Sequence, residues 1–438
     1  MKKVLEVREY DSIIGNKDYK NDAQYKYLEK KIFDELISFV HEYQVEEEQA
    51  DVLDFMKVGF KRQVGDVITV KNYSGLIQMK SGYQIQVLPK ILVDQDDENN
   101  TKVKKIFLKM LRSMKDFPSK VFSDASLNVS RMNLYEIFIN MYLQEVRQLI
   151  KHGLKSSYNR QEDNLAFYKG KLMVSEHIRN NTVHRERFYV SYDEYKVDRA
   201  ENRIIKSTLL KLQNLTSSNE NKKEIFQLLT SFEMVEKSTN YVKDFSKVKS
   251  DRSTKDYKLL MQWSRVFLMN KSFTTFSGDT SSRALLFPME KLFESYVAKY
   301  IKKVFIPEGW RVSTQDKGYY LFDLPRKQFA LRPDIVLSKS GCQIIMDTKW
   351  KNLINNSKKN YGISQSDMYQ MYAYAKKYKT SEIWMLYPLN EEMKAHEDIC
   401  FECNEEIEKI KVHLYLIDLE NIENSIVGLL NAVELNLE

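Results

Sequence analysis

The chain has 438 residues, of which 43% are hydrophobic, 12% aromatic and 29% charged, with a formal net charge of +7. This composition excludes disordered and collagen-like chains, and the length predicts two or three folded domains. The mild positive charge permits a nucleic-acid partner without requiring one.

The sequence also indicates the cellular setting. No apolar run is long enough to cross a membrane, and residues 1–12 lack the apolar segment of a signal peptide. The three cysteines are an odd number, which argues for a reducing compartment. We therefore expect a soluble, cytoplasmic protein with no membrane partner. Cys400 and Cys403 form half of a zinc-binding pattern, but His396 and His413 lack the spacing of companion ligands, so the pattern favours free thiols.

Residues 1–100 are predicted to form a β-rich region. Residues 64–91 alternate apolar and polar side chains and contain turn signals, which is typical of strands that form hairpins. Upstream, residues 24–43 have the apolar spacing of an amphipathic helix. The acidic, Asn-rich stretch at residues 94–100 is predicted to be a surface loop or a domain boundary.

Residues 101–275 are predicted to form a mainly helical middle domain. The clearest helix covers residues 133–153, where an apolar stripe ends at a His-Gly pair. Strand-like segments within residues 165–196 lead into another helix.

Residues 276–438 alternate helices and strands. Helices are predicted over residues 287–305 and 366–378, with a hairpin between them and a buried strand at residues 381–389. This order predicts an α/β domain around a small mixed sheet. The whole chain is therefore predicted to be an α+β multi-domain protein.

Two aspartates occupy apolar strands in the C-terminal part. If Ser340-Gly341 is a two-residue turn, Asp334 and Asp347 lie directly opposite each other on neighbouring strands. Two carboxylates this close repel each other, and a divalent cation such as Mg²⁺ removes the conflict. Lys349 follows on the same face, where it can contact a water or a phosphate. The pattern is typical of metal-assisted phosphodiester hydrolysis.

Two helices offer further polar groups. Glu294 lies in an apolar helical frame upstream, although Glu290, one turn earlier, is an alternative inward-facing acid. Gln370 and Tyr374 are four residues apart, so they share one helix face and can support the site. The alternative interpretation of this second helix is an aromatic stripe that packs in the core.

This constellation resembles the PD-(D/E)xK nuclease superfamily. Pro333-Asp334 and Asp347-Thr348-Lys349 match its signature, and Glu294 resembles its helical acid. The pair Gln370 and Tyr374 resembles the Q-x-x-x-Y element of the RecB-like branch. The resemblance implies that Asp334, Asp347 and Glu294 bind Mg²⁺, for which Mn²⁺ can substitute. It also implies that Lys349, Gln370 and Tyr374 belong to the catalytic site.

Within that superfamily, the chain resembles the McrC family, the nuclease subunits of McrBC-type restriction systems. Four segments in family order carry this resemblance: residues 72–91, 166–181, 192–209 and 332–351. It implies a McrB-like AAA+ GTPase partner that binds GTP, and an N-terminal region that contacts this partner and stimulates its GTP hydrolysis. It further implies cleavage of double-stranded DNA in antiviral defence. The sequence has no G-x-x-x-x-G-K-[ST] motif, so we expect the motor to be another polypeptide.

Other chemistries lack support, whereas two other functions stay open. The six histidines form no Ser-His-Asp or Cys-His arrangement, and no G-x-G-x-x-G motif occurs. The alternatives that remain are a self-contained restriction or repair nuclease without a motor, and a non-catalytic adaptor that activates an AAA+ GTPase. The sequence leaves open which DNA bases are recognised, whether cytosine methylation is required and what the stoichiometry of the complex is.

Overall fold

The computed structural model describes residues 4–45, 55–79, 81–91, 97–114, 133–248, 254–269, 283–394, 399–404 and 409–437. These residues form two compact units. The first unit contains the described residues up to 114 and from 284 onward, and the second contains those from 133 to 283. Helices and several small sheets occur together, which confirms the predicted α+β class. The division into three domains at residues 100 and 275 stays a prediction.

The strands are β1 (Val4–Arg8), β2 (Ser12–Ile14), β3 (Tyr25–Tyr27), β4 (Met56–Lys61), β5 (Gly65–Val70), β6 (Tyr73–Gln78), β7 (Gln84–Leu88), β8 (Ser157–Leu165), β9 (Lys171–Leu172), β10 (Phe188–Lys196), β11 (Arg283–Pro288), β12 (Arg311–Thr314), β13 (Tyr320–Phe322), β14 (Gln328–Ala330), β15 (Ile335–Lys339), β16 (Cys342–Thr348), β17 (Glu382–Pro388), β18 (Ile399–Asn404) and β19 (Lys409–Ile417). The helices are α1 (Lys30–Val45), α2 (Asp97–Leu111), α3 (Leu134–His152), α4 (Val174–Asn181), α5 (Ala200–Leu215), α6 (Asn219–Thr230), α7 (Tyr241–Lys247), α8 (Lys255–Met269), α9 (Met289–Phe305), α10 (Gln365–Tyr378) and α11 (Ile422–Leu435).

The N-terminal part of the first unit is built from two four-stranded sheets, in the orders β1-β7-β6-β11 and β3-β2-β5-β4. This confirms the β-rich prediction for this region. Strand β11 follows the second unit in the chain, about 200 residues after β7, and it runs directly into α9. Gly75 of β6 permits this pairing, since a Cβ atom there would lie 1.9 Å from the Leu285 carbonyl oxygen. The N-terminal sheet is thus continuous with the helix that carries Glu294.

Helix α1 begins later than the apolar spacing predicts. The prediction starts it at residue 24, whereas Tyr25–Tyr27 form a strand parallel to β2. Aromatic residues fit the pleated surface of a sheet, and the Leu28 N–H continues the pairing by donating to the Ile14 carbonyl over 2.9 Å. Beyond that point α1 buries its apolar face, including Phe33, against the sheets.

The C-terminal part of the first unit contains a six-stranded sheet in the order β12-β15-β16-β17-β19-β18. Strands β15 and β16 form an antiparallel hairpin, and β16, β17 and β19 run parallel. Helix α10 makes the crossover from β16 to β17, as a parallel pair requires. It packs on the sheet face that carries Val336 and Ile345. Side chains alternate along a strand, so Asp334 and Asp347 belong to this same face.

The second unit consists of helices α3 to α8 with a three-stranded sheet in the order β8-β10-β9. Strands β8 and β10 pair antiparallel along their whole length. Trp263, Phe138 and Tyr142 lie in the helical core, where the hydroxyl groups of Tyr142 and Ser264 form a hydrogen bond of 2.8 Å. No helix in the described part of the chain is long and apolar enough to span a membrane.

Candidate functional site

The β15–β16 hairpin has the register that the sequence predicts. Ile335 pairs with Met346, which places Asp334 and Asp347 at the next facing positions. Ser340 and Gly341 make the two-residue turn, both with positive φ angles (51° and 85°). Positive φ at both positions matches the turn twist that suits a tight hairpin. The position of this turn therefore sets the two carboxylates side by side.

The two aspartates have different surroundings. Asp334 is half-buried, and its Oδ2 accepts hydrogen bonds from the Thr348 N–H (2.8 Å) and hydroxyl (2.6 Å). Asp347 is only 3% exposed. Its Oδ2 lies 2.9 Å from the Lys349 Nζ as an ion pair, but accepts no aligned hydrogen bond from any described residue. Asp347 thus presents a buried carboxylate oxygen with unused acceptor capacity.

Lys349 connects the strand to helix α10. Its N–H donates to the Leu386 carbonyl over 2.9 Å, which extends the β16–β17 pairing by one residue. Its Nζ donates to Gln370 Oε1 over 2.9 Å and lies 3.8 Å from Asp367 Oδ1. The ammonium group is therefore fixed between strand β16 and helix α10.

Gln370 and Tyr374 share one face of α10, as predicted. The Gln370 amide donates to the Tyr374 hydroxyl over 2.9 Å, so the polar chain runs from Asp347 through Lys349 to Tyr374. Tyr374 also belongs to the hydrophobic core. Tyr369 and Tyr372 are 65% and 40% exposed, so α10 does not present a continuous aromatic core stripe.

Glu294 and Glu290 both line the cleft, so both alternatives for the helical acid face it. Gln315, just after β12, donates its side-chain amide to Glu294 Oε1 over 2.5 Å and to Asp334 Oδ1 over 3.3 Å. Glu290 accepts a hydrogen bond of 3.1 Å from the Asn72 amide. The Gln315 amide thus lies between two carboxylates, where a cation would also be stabilised.

The two aspartates, Lys349, Gln370 and the helical acids line a cleft of about 650 Å³ in the first unit. Its charged lining residues are Glu290, Lys291, Glu294, Arg332, Asp334, Asp347, Lys349, Lys351 and Asp367. A cleft of this size, with converging polar groups, is typical of a ligand site.

The carboxylates of the cleft repel one another. Burial, followed by the neighbouring Asp334 charge, raises the pKa of Asp347. The same two causes raise the pKa of Glu294 to about 7. Burial raises the pKa of Asp334 despite its bonds from Thr348. Burial alone would lower the pKa of Lys349, but the carboxylates of Asp347, Asp367 and Asp334 together outweigh it and the pKa is raised. A cation bound between the carboxylates would relieve this repulsion.

The two aspartates fit a magnesium ion, which commonly takes one or two carboxylates together with water and substrate oxygens. The remaining acceptor capacity of the Asp347 Oδ2 and the repulsion between Asp347 and Asp334 support this fit. Within the described ranges, no three His, Cys, Asp or Glu side chains lie close enough together to hold a metal. Glu294 as a third ligand therefore stays a prediction.

The structure adds three residues that sequence reasoning missed: Gln315, Thr348 and Asp367. Thr348 lies inside the Asp-x-Lys motif, but the motif alone does not indicate that its N–H and hydroxyl bond Asp334. Gln315 reaches Asp334 because β12 pairs with β15, a long-range pairing that no spacing indicates. Asp367 lies one helical turn before Gln370, so the helical spacing could have predicted that it faces the same way.

The cysteines do not form a zinc site in the described part of the chain. Cys400 and Cys403 are three residues apart on β18, so their side chains point to opposite sheet faces. His413 is buried, and its Nε2 lies 2.7 Å from Glu382 Oε2. His396 lies outside the described residues.

A further carboxyl group, Glu9, is fully buried and contacts Trp350, a residue that lines the cleft. Trp350, the residue after Lys349, donates its indole N–H to Glu9 Oε1 and Oε2 over 3.0 and 3.1 Å. The Lys90 N–H donates to Glu9 Oε2 over 3.0 Å. Burial raises the pKa of Glu9 to about 8.

We expect Glu9 to make the stability of the fold pH-dependent. Since its pKa rises from 4.5 to about 8 on folding, the folded protein holds a proton that the unfolded chain releases in this range. The stabilisation is complete below the lower pKa and is lost as the pH rises through the higher one, by up to about 1.4 kcal/mol per pH unit.

Glu9→Gln imitates the protonated acid and cannot titrate. It is expected to flatten the fall in the free energy of unfolding between about pH 5 and 8, measured by urea denaturation. Parallel pH profiles for the wild type and the variant would contradict this.

Known proteins resemble the chain in fold and in sequence. It matches a chain of the refined half-complex from a tetradecameric assembly of Thermococcus gammatolerans McrB AAA+ hexamers with bound McrC. That match has a TM-score of 0.70 and 19% identity, and covers 98% of this chain and 100% of the other. The cryo-EM structure of the Thermococcus gammatolerans McrBC complex matches with a TM-score of 0.48 and 20% identity, over 69% of this chain and 87% of the other.

The first of these structures shows that the fold is shared. No curated protein sequence matches the chain significantly. The family model described as "McrBC 5-methylcytosine restriction system component" matches residues 68–388, which is more than half of the chain. The chain therefore belongs to the McrBC family of 5-methylcytosine restriction system components.

Proposed function

We propose that this chain is the Mg²⁺-dependent DNA endonuclease subunit of a McrBC-type restriction complex, with a PD-(D/E)xK-type nuclease domain. One observation carries the proposal. Asp334, Asp347 and Lys349 converge in a cleft, and a buried oxygen of Asp347 has unused acceptor capacity. Two buried carboxylates that repel each other are costly for a fold, so a functional role for the pair is favoured.

Asp334 and Asp347 would hold the metal, with Glu294 as an auxiliary acid. When bound, Mg²⁺ lowers the pKa of a coordinated water and neutralises charge on the phosphoryl group. Thr348 keeps Asp334 oriented through its two hydrogen bonds. Gln315 holds Glu294 and Asp334 at a fixed spacing. The protein thus supplies preorganised oxygen ligands.

Lys349 orients the attacking water or stabilises the charge that develops on the phosphate. Gln370 holds its ammonium group, and Tyr374 holds Gln370. Arg332, Lys291 and Lys351 line the same cleft, where their charges attract the DNA backbone. This positively charged part of the lining suits double-stranded DNA as the substrate.

The proposed partner is a McrB-like AAA+ GTPase. The similar solved structure contains McrB AAA+ hexamers with bound McrC, and the present sequence has no phosphate-binding G-x-x-x-x-G-K-[ST] motif. GTP is therefore assigned to the partner. The chain would stimulate GTP hydrolysis through its N-terminal region and cleave foreign DNA, in cells that use the complex for defence.

Plasmid cleavage tests this function. The purified chain is incubated with methylated or unmethylated plasmid and Mg²⁺, alone or with the partner GTPase and GTP. Parallel reactions contain EDTA or a non-hydrolysable GTP analogue. We expect cleavage only when the chain, the partner, GTP and Mg²⁺ are all present.

The other outcomes decide between the alternative functions. Cleavage by the chain and Mg²⁺ alone would indicate a self-contained nuclease. Stimulated GTP hydrolysis without any cleavage would contradict the nuclease function and favour the non-catalytic adaptor.

A further inference from the structure

The N-terminal sheets are fastened to the elements that carry the candidate site. Asn72 accepts a backbone hydrogen bond of 3.0 Å from Met289 at the start of α9, and its amide bonds Glu290. Asn352 donates its amide to the Lys90 carbonyl over 3.3 Å. These contacts join the loops of the N-terminal sheets to the start of α9 and to the segment after β16, all within the first unit.

The fourth and most buried contact joins Glu9 to Trp350. Glu9 is 0% exposed, and its two carboxyl oxygens accept from the Trp350 indole and from the Lys90 N–H. A fully buried carboxyl group is costly, and an apolar residue would fill the space without that cost. The presence of an acid at position 9 therefore indicates a role for its hydrogen bonds with Trp350 and Lys90.

Trp350 is placed where its orientation affects the site. It follows Lys349 directly, at the point where the chain leaves the sheet. Its ring packs against Phe293, the residue before Glu294, with ring centroids 5.4 Å apart. Trp350 is therefore the chain neighbour of Lys349, and its ring contacts the chain neighbour of Glu294.

We propose that Glu9 is a positioning residue of the nuclease centre, which acts through the Trp350 indole on Lys349 and Glu294. The inference rests on the proposed function of the cleft. It makes the N-terminal sheet a structural part of the nuclease centre. A partner that binds the N-terminal region can then change the geometry of the cleft through this contact.

A double-mutant cycle tests the proposal. Trp350→Phe removes the indole N–H but keeps a ring against Phe293, and Glu9→Met removes the acceptor. Each variant is expected to lower both the Mn²⁺ affinity and the single-turnover cleavage rate about tenfold, as loss of outer-shell partners does. The double variant is expected to lose no more than either single variant, since the two residues form one interaction.

Two further variants serve as controls. Trp384→Phe alters a buried tryptophan of the same sheet whose indole N–H has no hydrogen-bond partner in the described residues, and it is expected to leave both readouts unchanged. Glu9→Gln keeps one acceptor oxygen for the indole and is expected to restore most of what Glu9→Met loses. Mn²⁺ affinity is measured by calorimetry, and urea denaturation verifies that each variant is folded.

The results separate this inference from the proposed function. Additive losses of about a hundredfold in the double variant, or wild-type Mn²⁺ affinity and rate in Trp350→Phe, would overturn the positioning role. If the wild type binds Mn²⁺ without cleaving DNA, the nuclease function fails, and the Mn²⁺ affinities alone decide the positioning role. A wild type that does neither overturns both.

Discussion

Asp347→Ala is expected to lower the rate of DNA cleavage by about a thousandfold or more, while leaving partner binding and GTP hydrolysis nearly intact. The substitution removes the most buried carboxylate of the cleft, the one whose Oδ2 has unused acceptor capacity. It also removes the repulsion with Asp334 that, after burial, raises the pKa of Asp347. The variant is therefore expected to be at least as stable as the wild type.

The measurement is single-turnover cleavage of plasmid DNA, with GTP hydrolysis and thermal unfolding recorded on the same samples. Asp323→Ala is the matched control, because Asp323 is exposed and pairs with Lys377 on the surface. If Asp347→Ala cleaves DNA at the wild-type rate, Asp347 has no catalytic role. If the variant loses partner binding instead, its role is structural.

Lys349→Met is expected to lower the cleavage rate about a hundredfold to a thousandfold without weakening Mn²⁺ binding. Methionine keeps the length of the side chain but lacks the ammonium group that lies between Asp347 and Gln370. Removing a positive charge from beside two carboxylates strengthens their attraction for a cation, so Mn²⁺ affinity is expected to stay equal or to rise.

Single-turnover rates and calorimetric Mn²⁺ titration measure the two effects separately. Lys339→Met is the control from the same sheet, since Lys339 pairs with Glu434 away from the cleft. A parallel loss of Mn²⁺ affinity and rate in Lys349→Met would show that Lys349 organises the metal ligands. That outcome would contradict a direct role in the chemistry.

The central hairpin could be predicted from sequence because its determinants are local. Ser340-Gly341 specifies a two-residue turn, and the alternation of side chains then fixes Asp334, Asp347 and Lys349 on one face. The spacing of Gln370 and Tyr374 on one helix face is equally local. In each case the residues that set the geometry lie within a few positions of the residues that they place.

The remaining parts of the site depend on long-range contacts. Gln315 reaches Asp334 only through the β12–β15 pairing. Glu9, which directly follows β1, reaches Trp350 because β1 and β11 belong to one sheet and β11 continues into α9. Short strands such as Tyr25–Tyr27 are likewise set by pairing, which overrides the helical spacing around them.

Burial and charge also became visible only in the folded chain. The sequence indicates that Glu290 or Glu294 faces the cleft, but only the packing of α9 shows that both line it. Periodicity could not separate them, because residues four apart share a helix face. The elevated pKa of Glu294, about 7, likewise depends on its burial and on Asp334, which lies on a distant strand.

The most direct test of the account locates a metal ion in the cleft. Crystals of the wild-type chain grown with Mn²⁺ are measured for anomalous scattering at a wavelength where manganese contributes. We predict a peak between the carboxylates of Asp334 and Asp347, bonded to the Asp347 Oδ2. Fully occupied Mn²⁺ elsewhere, with these two carboxylates unliganded, would contradict the assignment of the cleft as a metal-dependent nuclease centre.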